Sequence, residues 1–120
     1  MIYRYTLSLL IVSLSLSAQP LEQKSCFKKA QSTDAILTCI NRHLKQEDAR
    51  LNRNYREAMK RIAPFCRESL RKVQRLWIGY AHTKCDFFYH KESGSGGLVD
   101  AQRCLLEETT RRADELGALY

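Results

Sequence analysis

The stretch that decides the fold is STDAILTCINRHLKQEDARLNRNYREAMKRIAP, residues 32–64. Its apolar residues recur at steps of three, four or seven, which predicts one long amphipathic helix. Ser32, Thr33 and Asp34 are good N-cap residues, because their side-chain oxygens accept hydrogen bonds from the free N–H groups of a first helical turn. Pro64 ends the helix, since its ring would clash with the preceding turn.

Two further helices are predicted downstream of Pro64. The second covers about residues 65–89, and the third covers about residues 99–116. Residues 93–97 are Ser-Gly-Ser-Gly-Gly, and such a sequence predicts a loop because glycine competes poorly in a helix or strand. The absence of a strand pattern and the short connection at Pro64 predict an all-α fold, in which an antiparallel helical hairpin is joined by a third, C-terminal helix.

Reflection of the sequence about Pro64 gives a predicted register for this hairpin. The expected neighbours are Met59 with Leu70, Tyr55 with Val73, Leu51 with Trp77, and Asp48 with Tyr80. On the third helix, Glu107–Arg111 and Glu108–Arg112 have the acid-first spacing that stabilises an exposed helix face. We therefore expect these four charged residues to lie on the outer surface.

The first 18 residues have the pattern of a secretory signal peptide. A cationic start at Arg4 is followed by about ten mostly apolar residues and then by small residues up to Ala18. Cleavage there would leave residues 19–120 as a single mature domain without a transmembrane segment, in the periplasm or outside the cell. Among charged residues only Arg4 would be lost, so the net charge would fall from +7 to +6.

All five cysteines lie in the expected mature part of the chain. Export to an oxidising compartment favours disulfide bonds. We expect Cys26 to pair with Cys39, which would hold the N-terminal arm against the first helix. Cys85 would pair with Cys104 across the glycine-rich segment, leaving Cys66 free. Spacing alone does not fix the connectivity, so the other pairings stay open.

Several polar residues interrupt the apolar stripes of the first two helices. Asp48 and Asn52 fall within the stripe of the first helix, and Gln74 falls within that of the second. A buried polar group that lacks a hydrogen bond costs free energy, so partners at matching levels are expected. The sequence predicts an internal polar layer, which also includes Tyr55, in which Tyr80 bonds to Asp48, and Gln74 or the indole of Trp77 bonds to Asn52.

These residues also form part of a longer pattern. It runs through Cys26, Cys39, Asp48-x-x-Leu-Asn52-x-x-Tyr55, Gln74-Arg75-x-Trp77-x-x-Tyr80, Cys85, Gly94-Ser95, Cys104 and Thr109-x-x-Arg112-x-x-x-Leu116. The pattern resembles the LprI-like family of exported bacterial proteins, which is named for a lysozyme-inhibiting mycobacterial lipoprotein. The resemblance implies a helical exported domain and makes lysozyme inhibition a candidate activity. The chain has no lipobox, so we expect no lipid anchor.

The sequence favours a binding protein over an enzyme. It has no nucleophile elbow, no zinc-protease motif and no phosphate-cradling glycine motif. His82 and Cys85 have a spacing that zinc ligands can adopt, but no second pair completes a site. We therefore expect no catalytic residues, no metal and no cofactor. Export argues against a nucleic-acid partner, although the charge would suit one.

Two surfaces are candidates for the contact with a partner. One is the segment 92–97, flanked by His90 and Lys91, which could enter the carboxylate-bearing cleft of a lysozyme or could be only a connector. The other consists of Arg67, Arg71 and Arg75, which recur at every fourth position and would suit an anionic envelope surface or an acidic protein. The alternative explanation is that these arginines pair with Glu107 and Glu108. The positive charge also opposes binding to a basic lysozyme.

Overall fold

The computed structural model describes residues 26–91 and 94–119, and these residues are helical over most of their length. The three long helices are α1 (Thr33–Arg61), α2 (Arg67–Lys91) and α3 (Ser95–Gly117), with a 3-10 turn at Pro64–Cys66 between α1 and α2. The predicted all-α class is confirmed. The predicted signal peptide, residues 1–18, lies outside the described residues. Within the described ranges, no helix is both long and apolar enough to cross a membrane.

Helix α1 begins and ends as its sequence predicts. The Oγ of Ser32 accepts a hydrogen bond from the backbone N–H of Ala35 at 3.1 Å, which caps the first turn. At the other end, Ile62 and Ala63 are extended, with ψ of 154° and 139°. An extended conformation is what a proline imposes on the residue before it, so Pro64 ends α1 and turns the chain into α2.

Helix α3 begins earlier than its sequence predicts. The prediction of a loop over residues 93–97 is wrong at its C-terminal end, because α3 starts at Ser95 and includes two glycines in its first turn. Only Gly94 needs the freedom of glycine, since its φ is +74°. Each helical glycine costs about 1 kcal/mol relative to alanine. Packing of α3 between its two neighbours outweighs this cost.

The first and second helices run in opposite directions, as predicted, but α3 lies between them. Arg50 and Asn54 of α1 donate to the backbone carbonyls of Thr110 and Ala113, at 3.2 and 2.9 Å. Residue numbers rise together in these pairs, so α1 and α3 are parallel.

On the other side of α3, Lys84 bonds to Glu108 and Gln74 bonds to Arg112. Residue numbers run oppositely in these pairs, so α2 and α3 are antiparallel. Helices α1 and α2 each pack along α3 and hardly contact each other. The predicted direct packing of α1 on α2 is therefore wrong.

The core forms where both outer helices reach α3. Leu51, Ala113 and Leu116 are its fully buried members, and Tyr55, Leu70 and Trp77 pack against them. The predicted neighbours Leu51 and Trp77 thus share one cluster. Val73 was expected to face inward beside Tyr55, but 48% of its surface is exposed. The buried residues of α2 are Gln74, Ala81 and Cys85, because these face α3 and not α1.

Two disulfide bonds brace this arrangement, and both follow the predicted pairing. Cys26 is bonded to Cys39, and Cys85 is bonded to Cys104. The first joins a single helical turn at residues 26–29 to α1, and the second joins α2 to α3. Cys66 is a free, partly exposed thiol at the bend between α1 and α2.

Candidate functional site

An open groove lies between α1 and α2, because these helices are held apart by α3. Its volume is about 490 Å³, and its lining residues are Asn41, Leu44, Lys45, Asp48, Trp77, Ile78, Ala81, His82, Leu105 and Thr109. Four polar members, Asn41, Lys45, Asp48 and His82, are exposed, whereas Thr109 is buried and Leu44, Trp77 and Leu105 are partly buried. The groove therefore has a mostly apolar floor and a rim of hydrogen-bonding groups, as is common in binding sites.

The predicted internal polar layer is wrong for three of its members. Asp48 is exposed at the rim of the groove, and its carboxylate accepts a hydrogen bond from the exposed amide of Asn52 at 3.3 Å. Tyr80 is 55% exposed, and its ring lies beside the Lys84 ammonium, 5.7 Å from the ring centre. The separation of α1 from α2 explains why the predicted layer does not form. Asp48 on α1 is too far from Tyr80 on α2 for a hydrogen bond, so its carboxylate stays in contact with water.

The buried polar pair of the structure joins different residues. Gln74 and Arg112 are each only 8% exposed, and Arg112 Nε donates to Gln74 Oε1 at 2.9 Å. A second nitrogen of Arg112 donates to Glu115 at 3.0 Å. The burial of Gln74 was expected, but the placement of Arg112 on the outer surface is wrong. The position of α3 between two helices leaves it little free surface, so some of its charged residues are covered.

Glu108 is a second buried charge of α3 that was expected outside. It is 4% exposed and accepts hydrogen bonds from Lys84 at 2.6 Å and from Arg111 at 2.8 Å. Burial by itself would raise the pKa of this carboxyl. The Lys84 hydrogen bond and the charges of Arg111 and Lys84 outweigh the burial, so the pKa lies below its ordinary value.

This pair predicts an acid-sensitive link between α2 and α3. A carboxyl whose pKa is lowered by folding stabilises the native state above its unfolded pKa, and the contribution is lost as the pH falls through the folded pKa. We expect the Glu108 contribution to be constant above about pH 5 and to disappear as the pH falls below 4.5. Urea unfolding at a series of pH values would measure it. In Glu108→Gln the free energy of unfolding should fall less steeply as the pH is lowered. A fall as steep as that of the unmodified protein would contradict the assignment.

The predicted cationic surface is largely paired within α2. Arg71 and Arg75 both contact Glu68, at 3.1 and 3.4 Å. Pairing with Glu107 and Glu108, the alternative considered from the sequence, is therefore not what the structure has. Arg67 donates to the backbone carbonyl of Met59 at 2.9 Å.

The residues that flank the predicted protruding loop have local partners as well. His90 lies 3.4 Å from Asp86, and the Lys91 ammonium lies 5.9 Å from the centre of the Phe88 ring. Because α3 starts at Ser95, residues 95–97 of the predicted loop are helical. Residues 92 and 93 lie outside the described residues. These observations leave the groove as the better candidate for a partner site.

Sequence reasoning missed an apolar stripe on the outside of α2. Its members are Val73, Leu76, Tyr80 and Phe87, which are 48%, 65%, 55% and 63% exposed. They recur at steps of three, four and seven and so share one face of the helix. The sequence does contain a signal for this stripe, because the apolar residues of α2 fall on two faces of the helix. Helix α3 covers only one of these faces. We call Val73, Leu76, Tyr80 and Phe87 the outer stripe.

Comparison with known proteins places this arrangement in a family. A family model described as lysozyme inhibitor LprI matches residues 26–116. The chain belongs to the LprI family. An uncharacterised protein of Rhizobium meliloti (strain 1021) is 28% identical over 106 residues, which cover 77% of this chain and 76% of that protein. No solved structure matches the chain.

The LprI match spans all three helices and all four bonded cysteines. The residues that carried the resemblance in the sequence lie in two environments. Gln74, Arg112 and Leu116 are buried between helices, whereas Asp48 and Trp77 line the groove. In this LprI-family chain, some residues of the pattern thus pack against α3 and others line the open groove.

Proposed function

We propose that this chain is an exported, non-catalytic protein that inhibits a lysozyme by binding it through the groove. The observation that carries the proposal is the family match, which covers almost all of the described chain. We propose that residues 1–18 are removed and that residues 19–120 act in the periplasm or outside the cell. The two disulfide bonds agree with an oxidising compartment.

The chemistry of the groove supports this role. Many lysozymes use two catalytic carboxyl groups, which flank the glycosidic bond to be cleaved and lie in an open cleft. An edge of that cleft could pack on Trp77, Ile78 and Leu105. The part of the rim placed over the carboxyl groups would be that of Asn41 and Lys45, since the carboxylate of Asp48 would repel them. Lys45 supplies a positive charge at the rim, and the amide of Asn41 supplies a hydrogen-bond donor. The inhibitor would act by covering the cleft, so we assign no reaction to it.

The net charge determines how such binding should respond to salt. The mature chain would carry +6, and many lysozymes are basic, so the two proteins repel each other at long range. Apolar contact in the groove must then supply most of the affinity. Inhibition of a basic lysozyme should therefore stay constant or strengthen as ionic strength rises.

A lytic assay with the purified mature protein tests the proposal. We expect complete inhibition at a near-stoichiometric ratio for at least one lysozyme in a panel that includes animal and bacterial enzymes. Measurement of the same titration at low and high salt tests the apolar contribution. Undiminished lysis by every lysozyme, at a large excess of this protein, would contradict the proposal.

The outer stripe favours a second candidate function, which is binding to an anionic membrane surface. Lys72 flanks the stripe, and the Lys84 ammonium, although paired with Glu108, lies 5.7 Å from the centre of the Tyr80 ring. Exposed apolar and aromatic residues bordered by lysines are typical of helices that lie in the interface of anionic membranes. This surface lies outside the groove, so the two functions make separate predictions.

Leu76→Asp should weaken binding to vesicles of anionic phospholipid by at least about tenfold, since burial of a leucine side chain contributes about 1.5–3 kcal/mol. Co-sedimentation with the vesicles measures this change, and binding of the unmodified protein should weaken as salt is added. Equal binding of both proteins, or binding that does not respond to salt, would exclude the outer stripe as a membrane surface.

A further inference from the structure

Three metal-ligand atoms lie together at the start of α1. The sulfurs of Cys26 and Cys39 and a ring nitrogen of His43 all lie within 4.8 Å of one another. Cys39 and His43 are four residues apart on α1 and so share one face of the helix. The helical turn at residues 26–29 brings Cys26 to that face. Among the described residues, this is the one group of three such ligands.

The imidazole of this group has an unused nitrogen. His43 is only 4% exposed, and its Nε2 has no hydrogen-bond partner among the described residues. A buried polar nitrogen without a partner costs free energy, and the disulfide beside it has no proton to donate. The structure therefore leaves one ring nitrogen of His43 without a partner, on a side chain that lies beside both sulfurs.

We propose that reduction of the Cys26–Cys39 bond converts this group into a binding site for Zn²⁺. A dithiol reductant would break the S–S bond, transfer two electrons and two protons to the two sulfurs, and itself become a disulfide. Binding of Zn²⁺ then releases both thiol protons to solvent and leaves two thiolates, a ring nitrogen of His43 and a water as ligands. The site is thus closed to the metal while the bond is intact.

The geometry and burial agree with this sequence of steps. Tetrahedral zinc with bonds of about 2.0–2.3 Å holds its ligand atoms about 3.5–3.8 Å apart. After reduction the two sulfurs must therefore separate from the bonded distance of about 2 Å, whereas the imidazole nitrogen, already within 4.8 Å of both sulfurs, needs only a small approach. Cys39 is 2% exposed, whereas Cys26 is partly exposed, and a reductant can therefore reach the bond from the Cys26 side. The Cys85–Cys104 bond is buried on both sides and has no third ligand close by among the described residues.

Zinc titration of the mature protein tests the proposal, with Cys66→Ser used throughout to remove the free thiol. A phosphine reductant opens the disulfides, and competition with a chromophoric chelator measures the affinity for Zn²⁺. We expect the reduced protein to bind one zinc ion and the oxidised protein to bind none. The double variant Cys26→Ser/Cys39→Ser should lose binding, and the matched variant Cys85→Ser/Cys104→Ser should keep it.

His43→Gln should weaken the binding by at least about tenfold, because loss even of an outer-shell partner typically costs 10–100-fold. X-ray absorption of the zinc-loaded Cys66→Ser protein gives the ligand set without any variant of the three ligands. Two sulfurs and an imidazole nitrogen are expected. Zinc binding that survives without Cys26 and Cys39, unchanged affinity in His43→Gln, or a ligand set made of sulfur alone would each overturn the proposal.

Discussion

Replacing Ile78 with aspartate is expected to weaken lysozyme inhibition at least about 100-fold. Ile78 is 46% exposed in the free protein and lines the groove, so a bound lysozyme would cover it. Burial of an unpaired carboxylate there costs on the order of 3–5 kcal/mol, and each 1.4 kcal/mol is about a tenfold change in affinity. The concentration that halves lysis, measured for both proteins against the same lysozyme, gives the ratio directly.

Leu76→Asp is the matched control for this experiment. Leu76 lies two residues away on the same helix and is 65% exposed, but it belongs to the outer stripe and does not line the groove. This variant should inhibit lysozyme as well as the unmodified protein does. If Leu76→Asp abolishes inhibition and Ile78→Asp does not, the outer stripe is the lysozyme surface and the groove is not.

Leu51→Ala is expected to lower the free energy of unfolding by about 2–5 kcal/mol. Leu51 is 3% exposed and packs in the cluster where α1, α2 and α3 meet, so its truncation leaves a cavity that both outer helices border. Small domains are stable by only about 5–15 kcal/mol, so the loss is a large fraction of the total. Urea unfolding followed by circular dichroism measures it.

Leu119→Ala provides the comparison for Leu51→Ala, because Leu119 is 49% exposed beyond the end of α3. Its truncation should change the stability by no more than about 0.5 kcal/mol. A Leu51→Ala change of similar size to the Leu119→Ala change would mean that the three helices do not share a single core.

The three helices, and the limits of α1, could be predicted from the sequence because their signals are local. Apolar spacing, the Ser32 cap and Pro64 all act within one or two turns of the chain, and α1 has the limits that they indicate. The pairing of Cys85 with Cys104 was similarly predictable, since both cysteines border the same short connection. The start of α3 at Ser95 could not be predicted from glycine propensity, because packing of the helix outweighs that propensity.

The position of α3 could not be predicted, and most of the other errors follow from it. A periodic pattern shows which face of a helix is apolar but does not show which helix will cover it. With α3 between α1 and α2, Asp48 stays at a solvent-exposed rim, and Arg112 is buried against Gln74. The charged pattern of α3 looked like an exposed face because the sequence does not reveal that the helix has two neighbours.

The candidate site was only partly visible in the sequence. Asp48 and Trp77 were singled out, but as members of a closed interior and not as the lining of a groove. The group formed by Cys26, Cys39 and His43 was also hidden. Cys39 and His43 have a spacing that places them together on a helix, but the approach of Cys26 depends on the folded N-terminal arm.

The most direct test of lysozyme binding in the groove uses Trp77, the single tryptophan of the chain. In ¹⁵N-labelled protein its indole N–H gives one resonance, which unlabelled lysozyme does not obscure. Titration with a lysozyme that the protein inhibits should shift or broaden this resonance until the ratio reaches one to one. An indole resonance that stays unchanged while lysis is fully inhibited would place the lysozyme elsewhere and contradict the proposed site.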